Sequence, residues 1–235
     1  MSDVETRPAR AGQAGEHVRD HRSLLAASEK RLLVWIAGRL PAWIGPDHLS
    51  ALGLVSMLGV GLSFWGSSVA PSLALPLVVL FLALNWAGDS LDGTVARVRG
   101  CQRPRYGFYV DHVIDLAGTV MLIAGLALSG HMTPVIALAV LSAWLLVSAE
   151  SFLATHARGV FRMSFGWFGP TEFRLLIAAG ALKLLDGGLV TPLGLGPYHV
   201  FDVGAVAATI GMGIAFVVSA IRNTVVLYRE ETRRR

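Results

Sequence analysis

Asn85-Trp86-Ala87-Gly88-Asp89-Ser90-Leu91-Asp92-Gly93-Thr94-Val95-Ala96-Arg97, followed nine residues later by Gly107-Phe108-Tyr109-Val110-Asp111-His112-Val113-Ile114-Asp115, decides how this chain must fold. The first stretch closes an apolar run over 70–88 and the second opens another over 113–129, each near the ~17–25 residues that a spanning helix needs. Four aspartates therefore stand at the adjoining ends of two consecutive apolar segments. At 3.6 residues per turn, Asp89, Asp92, Gly93, Ala96 and Arg97 fall along one helical stripe, and Gly107, Asp111 and Asp115 along another. The short connection through Pro104 permits an antiparallel hairpin that turns the two stripes toward each other. The pattern predicts a cleft walled by four carboxylates.

Working outward, further apolar segments run over 49–66, 132–149, 173–194 and 203–221, the fifth of the six being interrupted by Lys183 and Asp186. The chain has 235 residues, 54% hydrophobic and only 15% charged, where a soluble domain carries about 25% charged residues. Its mean hydropathy is +0.58. The expected fold is an all-α polytopic membrane bundle of about six transmembrane helices. Lys30-Arg31 through Leu40, ahead of Pro41, is too short to span and suits an interfacial amphipathic helix. The expected organisation is a polar cytoplasmic tail over 1–27, the interfacial helix within 28–45, one membrane domain over 46–228 and a basic tail over 229–235. Residues 1–27 have no apolar core or cleavage site of a signal peptide. The single cysteine, Cys101, supports no intramolecular disulfide.

The charge balance of 20 Lys+Arg against 16 Asp+Glu reports orientation. With six spans, every Lys and Arg except Lys183 faces one compartment, the positive-inside asymmetry of a membrane protein with both termini cytoplasmic. Basic residues on that side attract anionic headgroups. No aromatic-basic interleaving or binding motif points to nucleic acid. Trp35, Trp43 and Trp65 read as interfacial anchors.

An Asp at mid-membrane costs about 2.5–3.5 kcal/mol on insertion scales, so four together cost on the order of 10 kcal/mol before their mutual repulsion. Arg97 offers one compensating charge. Two divalent cations would supply four, and hard carboxylate oxygens suit magnesium or manganese. Two-metal sites stabilise in-line phosphoryl displacement. Gly93, Ala96 and Gly107 leave the stripes without bulk, as a nucleotide lying against the helices would need, and Arg97 suits a phosphate. Taken singly, such small residues more often mean close helix packing.

These eight residues, Asp89, Asp92, Gly93, Ala96, Arg97, Gly107, Asp111 and Asp115, resemble the signature of the CDP-alcohol phosphotransferases, D-x-x-D-G-x-x-A-R followed by G-x-x-x-D-x-x-x-D. Pro46-Asp47-His48-Leu49-Ser50 loosely echoes the family's P-N-x-L-T entry to its first span, with Asp47 and Ser50 read as tolerable helix N-caps. The resemblance implies a six-helix bundle, usually a homodimer, that transfers the non-nucleotide half of a CDP-linked substrate to an alcohol and releases CMP. It implies that Asp89, Asp92 and Asp111 are the principal metal ligands. Asp115 would also lie at the two Mg2+ or Mn2+ ions and take the proton of the acceptor hydroxyl, while Gly93, Ala96, Arg97 and Gly107 would hold CDP. CDP-diacylglycerol with a small alcohol acceptor is the favoured arrangement. CDP-choline or CDP-ethanolamine with diacylglycerol is the alternative, suggested by Asp111-His112. A small ion or proton transporter is the alternative of a different class. Compact size together with the resemblance points to a bacterial cytoplasmic membrane. Asn85 reads equally as a partner to a metal ligand or as a helix–helix hydrogen bond, and His112 as a packing residue. Glu150, Glu172, Arg174, Arg158 and Arg162 are weighed for an acceptor pocket against ordinary helix-end roles.

Overall fold

The computed structural model describes residues 26–158 and 170–233. Among them are seven α-helices: α1 (Ala26–Ala37), α2 (Pro46–Gly66), α3 (Pro71–Val98), α4 (Pro104–Ser129), α5 (Pro134–Arg158), α6 (Pro170–Leu184) and α7 (Val200–Thr232). Five of these, α2 to α6, open on a proline, which has no N–H to leave unsatisfied at a helix start and is already set at a helical φ. Gly130, at φ 77°, closes α4 in the left-handed conformation, the usual glycine C-cap.

The helices α2, α3, α4, α5 and α7 are long and apolar enough to cross a membrane. The expected fifth span, 173–194, is shorter: α6 ends at Leu184. Gly187 and Gly188 follow at φ 87° and 68°, a backbone that cannot continue a right-handed helix. The Gly/Pro-rich stretch after α6 forms a two-stranded antiparallel hairpin, β1 (Leu189–Val190) with β2 (Tyr198–His199), pairing Leu189 with His199 and Val190 with Tyr198. At the other end, α7 continues through Thr232, so the basic segment from Arg229 begins within a helix. The interfacial segment is helical only to Ala37, with Gly38 and Pro41 ending it. Most of the expected tail over 1–27 lies outside the described residues.

Helix α2 is the centre of the bundle and packs on both α3 and α4, while α5 packs on α4 and α7, and α6 on α3. The main core gathers Val60 and Phe64 of α2, Leu75, Val78 and Leu82 of α3, and Leu122 and Leu126 of α4, with Phe201 of α7. Two glycine crossings bring the backbones together. A Cβ on Gly125 would lie 2.2 Å from the Gly61 carbonyl oxygen, and one on Gly88 would lie 2.6 Å from the Leu49 carbonyl oxygen and 2.8 Å from the Gly53 nitrogen. Such approaches are available only to glycine, and they tighten helix pairs that gain little from hydrophobic burial in a bilayer. Leu62, Leu80, Leu138, Leu146, Ile210 and Ile214 point outward and are exposed, the reverse of a soluble domain and the surface that lipid tails would cover.

A second small core joins α1 to the bundle, with Leu33 and Ala37 against Leu49, Leu91 and Val95. The opposite face of α1 leaves Leu32, Val34 and Trp35 exposed. The chain between α1 and α2 is held by Arg99, whose guanidinium donates to the carbonyls of Ile44 (2.7 Å), Leu40 (2.8 Å) and Pro41 (3.1 Å). These contacts tie the α1–α2 connection to the end of α3.

Candidate active site at the arginine-rich end

Four aspartates from two helices line one cleft. Asp89 and Asp92 come from α3, Asp111 and Asp115 from α4, and Ser50 and Gly53 of α2, Asn85 of α3 and Ile114 of α4 complete the wall. The hairpin of α3 and α4 joined at residues 99–103 thus does what the two stripes required. The space between the walls is about 10 Å³, room for about one water-sized group and far below the ~300–1,000 Å³ of ordinary small-molecule sites. A space of this size suits small ions and water.

Each wall is tied by named bonds. Ser50 Oγ donates to Asp92 Oδ2 at 2.7 Å. Asn85, buried, donates to the Gly53 carbonyl at 3.0 Å, at the point where Gly88 lets α2 and α3 touch. Arg174, reaching across from α6, donates through Nε to Asn85 Oδ1 at 2.7 Å and pairs through Nη2 with Asp89 Oδ2 at 2.6 Å. Asp111 and Asp89 are partly buried, whereas Asp115 is exposed.

The donor set is chemically apt for a hard divalent cation: carboxylate oxygens with one hydroxyl, on rigid helices, and no soft ligand in the lining. The side chains are spread around the wall; among the described residues, no three His, Cys, Asp or Glu side chains converge tightly enough to form a cage by themselves. Such a layout fits ions that share their coordination with substrate oxygens, as magnesium does when it keeps few protein ligands.

The nucleotide candidates lie apart from the cleft lining. Gly93 sits one residue after Asp92, with the Arg97 guanidinium 3.2 Å from where its Cβ would be, and Gly107 has open space there. Arg97, exposed at the last turn of α3, donates to Thr94 Oγ1 at 3.1 Å. Neither they nor Ala96 belong to the cleft lining.

Several sequence readings change. Ser50 is no N-cap: Gly45 holds that position, and Ser50 lies inside α2, where its hydroxyl reaches Asp92. Asn85 makes the expected helix–helix hydrogen bond, to the Gly53 carbonyl, and accepts from Arg174, the partner of Asp89, rather than bonding an aspartate itself. His112 is a packing residue, 7% exposed, with Nδ1 at 2.7 Å from the Phe108 carbonyl and its ring stacked on Phe108 and edge-on to Phe152. Glu150 accepts from Ser219 (2.9 Å) and Asn223 (2.6 Å), and Arg158 donates to Asn223 Oδ1 (2.5 Å), so these residues link α5 to α7. Arg162 lies outside the described residues. Arg174 is the addition that local reading left undecided, because its partner is 85 residues away.

A family model described as CDP-alcohol phosphatidyltransferase matches residues 43–225, which include all of α2 to α6, the whole cleft and most of α7. A search of curated proteins finds no significant match.

Proposed function

The chain belongs to the CDP-alcohol phosphatidyltransferase family, membrane-embedded transferases acting on CDP-alcohol substrates, and from that premise we propose that it transfers a phosphatidyl group from CDP-diacylglycerol to a small alcohol and releases CMP. The observation that carries the proposal is the convergence of the four signature aspartates, from α3 and α4, on one cleft.

Asp89, Asp92 and Asp111 would hold two Mg2+ or Mn2+ ions, with Asp115 beside them. When bound, such ions neutralise charge on the transferring phosphoryl oxygens and on the leaving phosphate. The chain's own residues position and move protons. Ser50 fixes Asp92 by donating to one of its oxygens. Asp115, an exposed residue of the cleft lining, would take the proton of the acceptor hydroxyl as the oxygen attacks the diacylglycerol-linked phosphorus. The bond from that phosphorus to the bridging oxygen breaks, and CMP leaves with the electron pair. Arg97, with Gly93, Ala96 and Gly107 offering no bulk, would receive the CDP phosphates. Cleavage in line, in a site fixed by rigid helices, needs little motion of the protein.

The exposed apolar face of α1 and the arginine-rich helix ends support docking of this end at an anionic cytoplasmic leaflet, with one membrane domain over 46–228 working as a homodimer. The choline and ethanolamine direction gains no support from His112, which packs between Phe108 and Phe152 and adds no group to the cleft. A proton or ion pathway would need carboxylates through the depth of the bundle, whereas these four lie at one end of two helices.

The test is CMP release by the purified protein, with CDP-diacylglycerol, CDP-choline and CDP-ethanolamine as donors across a panel of acceptor alcohols. Release from CDP-diacylglycerol with a polar acceptor is expected. Release only from CDP-choline or CDP-ethanolamine with diacylglycerol would reverse the direction.

A further inference from the structure

Arg174 is held as few surface arginines are. Its side chain is only 13% exposed, and its guanidinium edge spans two α3 side chains four residues apart: Nε on Asn85 Oδ1 at 2.7 Å and Nη2 on Asp89 Oδ2 at 2.6 Å. Residues four apart share a helix face, so a rigid planar fork fits both at once. Asn85 is itself fixed by its bond to the Gly53 carbonyl. The helix that delivers Arg174 is anchored one turn earlier: Thr171 Oγ1 donates to Glu29 Oε1 at 3.3 Å, and Trp86 Nε1 of α3 donates to the same oxygen at 2.7 Å. The guanidinium therefore meets Asp89 from a fixed direction.

We propose that Arg174 is a positioning residue for Asp89: by engaging Oδ2 while Asn85 steadies the fork, it sets the rotation of the carboxylate so that the group presents its other oxygen to the cleft. The inference rests on the proposed assignment of Asp89 as a metal ligand. Partners that orient a ligating carboxylate are worth about 10–100-fold in metal affinity. A positive charge beside a divalent cation acts in the opposite sense, since like charges repel. Removing Arg174 thus separates the two effects. If orientation dominates, affinity falls; if charge dominates, it rises.

The experiment is Mn2+ binding to the full-length protein in detergent, without nucleotide or lipid substrate, followed by electron paramagnetic resonance of free Mn2+, for wild type, Arg174→Gln and Arg174→Lys. Thermal melting of each variant is recorded alongside. The expected result is a 10–100-fold weaker binding for Arg174→Gln at little changed melting temperature. Arg174→Lys should fall between it and wild type, because an ammonium keeps the ion pair but cannot fork to Asn85. Unchanged or tighter binding by Arg174→Gln would overturn the proposal. Should that variant fail to fold, Arg174→Lys decides: wild-type affinity there means that the fork orients nothing. Absence of Mn2+ binding by wild type would overturn the metal assignment itself, and this inference with it.

Discussion

Gly88→Ala is the substitution by which the architecture around the cleft is most sharply exposed to test. The added Cβ would meet the Leu49 oxygen at 2.6 Å, the Gly53 nitrogen at 2.8 Å and the Gly53 Cα at 3.1 Å. All three are backbone atoms, so no side chain can swing aside, and α2 must move from α3 by about 0.8 Å to reach ordinary contact at 3.4 Å. The same movement stretches the bonds from Asn85 to Gly53 (3.0 Å) and from Ser50 to Asp92 (2.7 Å). Overpacking costs about 1–3 kcal/mol, an abandoned buried hydrogen bond about 1–3 kcal/mol, and alanine returns about 1 kcal/mol of helix propensity, for a net destabilisation of about 1–5 kcal/mol. Displacing a catalytic wall by about 1 Å can cost on the order of 10²-fold in turnover. The assay is thermal unfolding in detergent together with CMP release per folded molecule, and both should fall. Gly125→Ala is the control: its Cβ would strike the Gly61 carbonyl oxygen at 2.2 Å, so it should destabilise comparably while leaving turnover per folded molecule nearly intact, because neither glycine lines the cleft. A Gly88→Ala protein with wild-type melting and turnover would refute the reasoning.

Other consequences are equally open to measurement. Arg99→Ala removes the donor to the Leu40, Pro41 and Ile44 carbonyls; a loss of about 1–3 kcal/mol is expected, with faster protease cleavage between α1 and α2 as the readout. Burial, and then the neighbouring His199, hold the His131 imidazole below its usual pKa. In the unfolded chain the ring titrates near ~6.5, so its stabilising contribution is complete above that pH and is lost as pH falls toward the lower folded value. Melting temperature should therefore drop on acidification through this window, and His131→Gln should flatten the slope; an unchanged slope would remove His131 as the cause. Asp115→Asn should keep the fold and lose on the order of 10²–10⁴-fold in CMP release, the usual worth of a general base.

How much of this was written locally in the chain follows from what each feature depends on. The prolines at 46, 71, 104, 134 and 170 and the spacing of Asp89, Asp92, Asp111 and Asp115 act through local backbone geometry, and the helix starts and the shared cleft follow them. The length of α6 depended on a local signal that hydropathy outweighed: Gly187 and Gly188, both at positive φ, end what an average over 173–194 runs together. The place of Ser50 in the cleft wall and the bond of Arg174 to Asp89 are not legible in the sequence, because each is defined by a partner on another helix, 42 and 85 residues away. The hairpin after α6 has no sequence signal of its own, since two-residue strands carry no alternating pattern. Asn85 was ambiguous in the sequence because a helix–helix bond and a bond toward the cleft ask for the same residue; the fold uses it for the helix–helix bond and as an acceptor for Arg174.

The central claim is that four aspartates of two helices form one divalent-cation site that cleaves a CDP-linked lipid. Its most direct test is CMP release from CDP-diacylglycerol by wild type and Asp111→Asn protein, each with chelator and then with added Mg2+ or Mn2+. The account predicts release by wild type only with the metal, and near-complete loss in the folded variant at metal concentrations that saturate wild type. Metal-independent release, or wild-type turnover and metal dependence in Asp111→Asn, would contradict it.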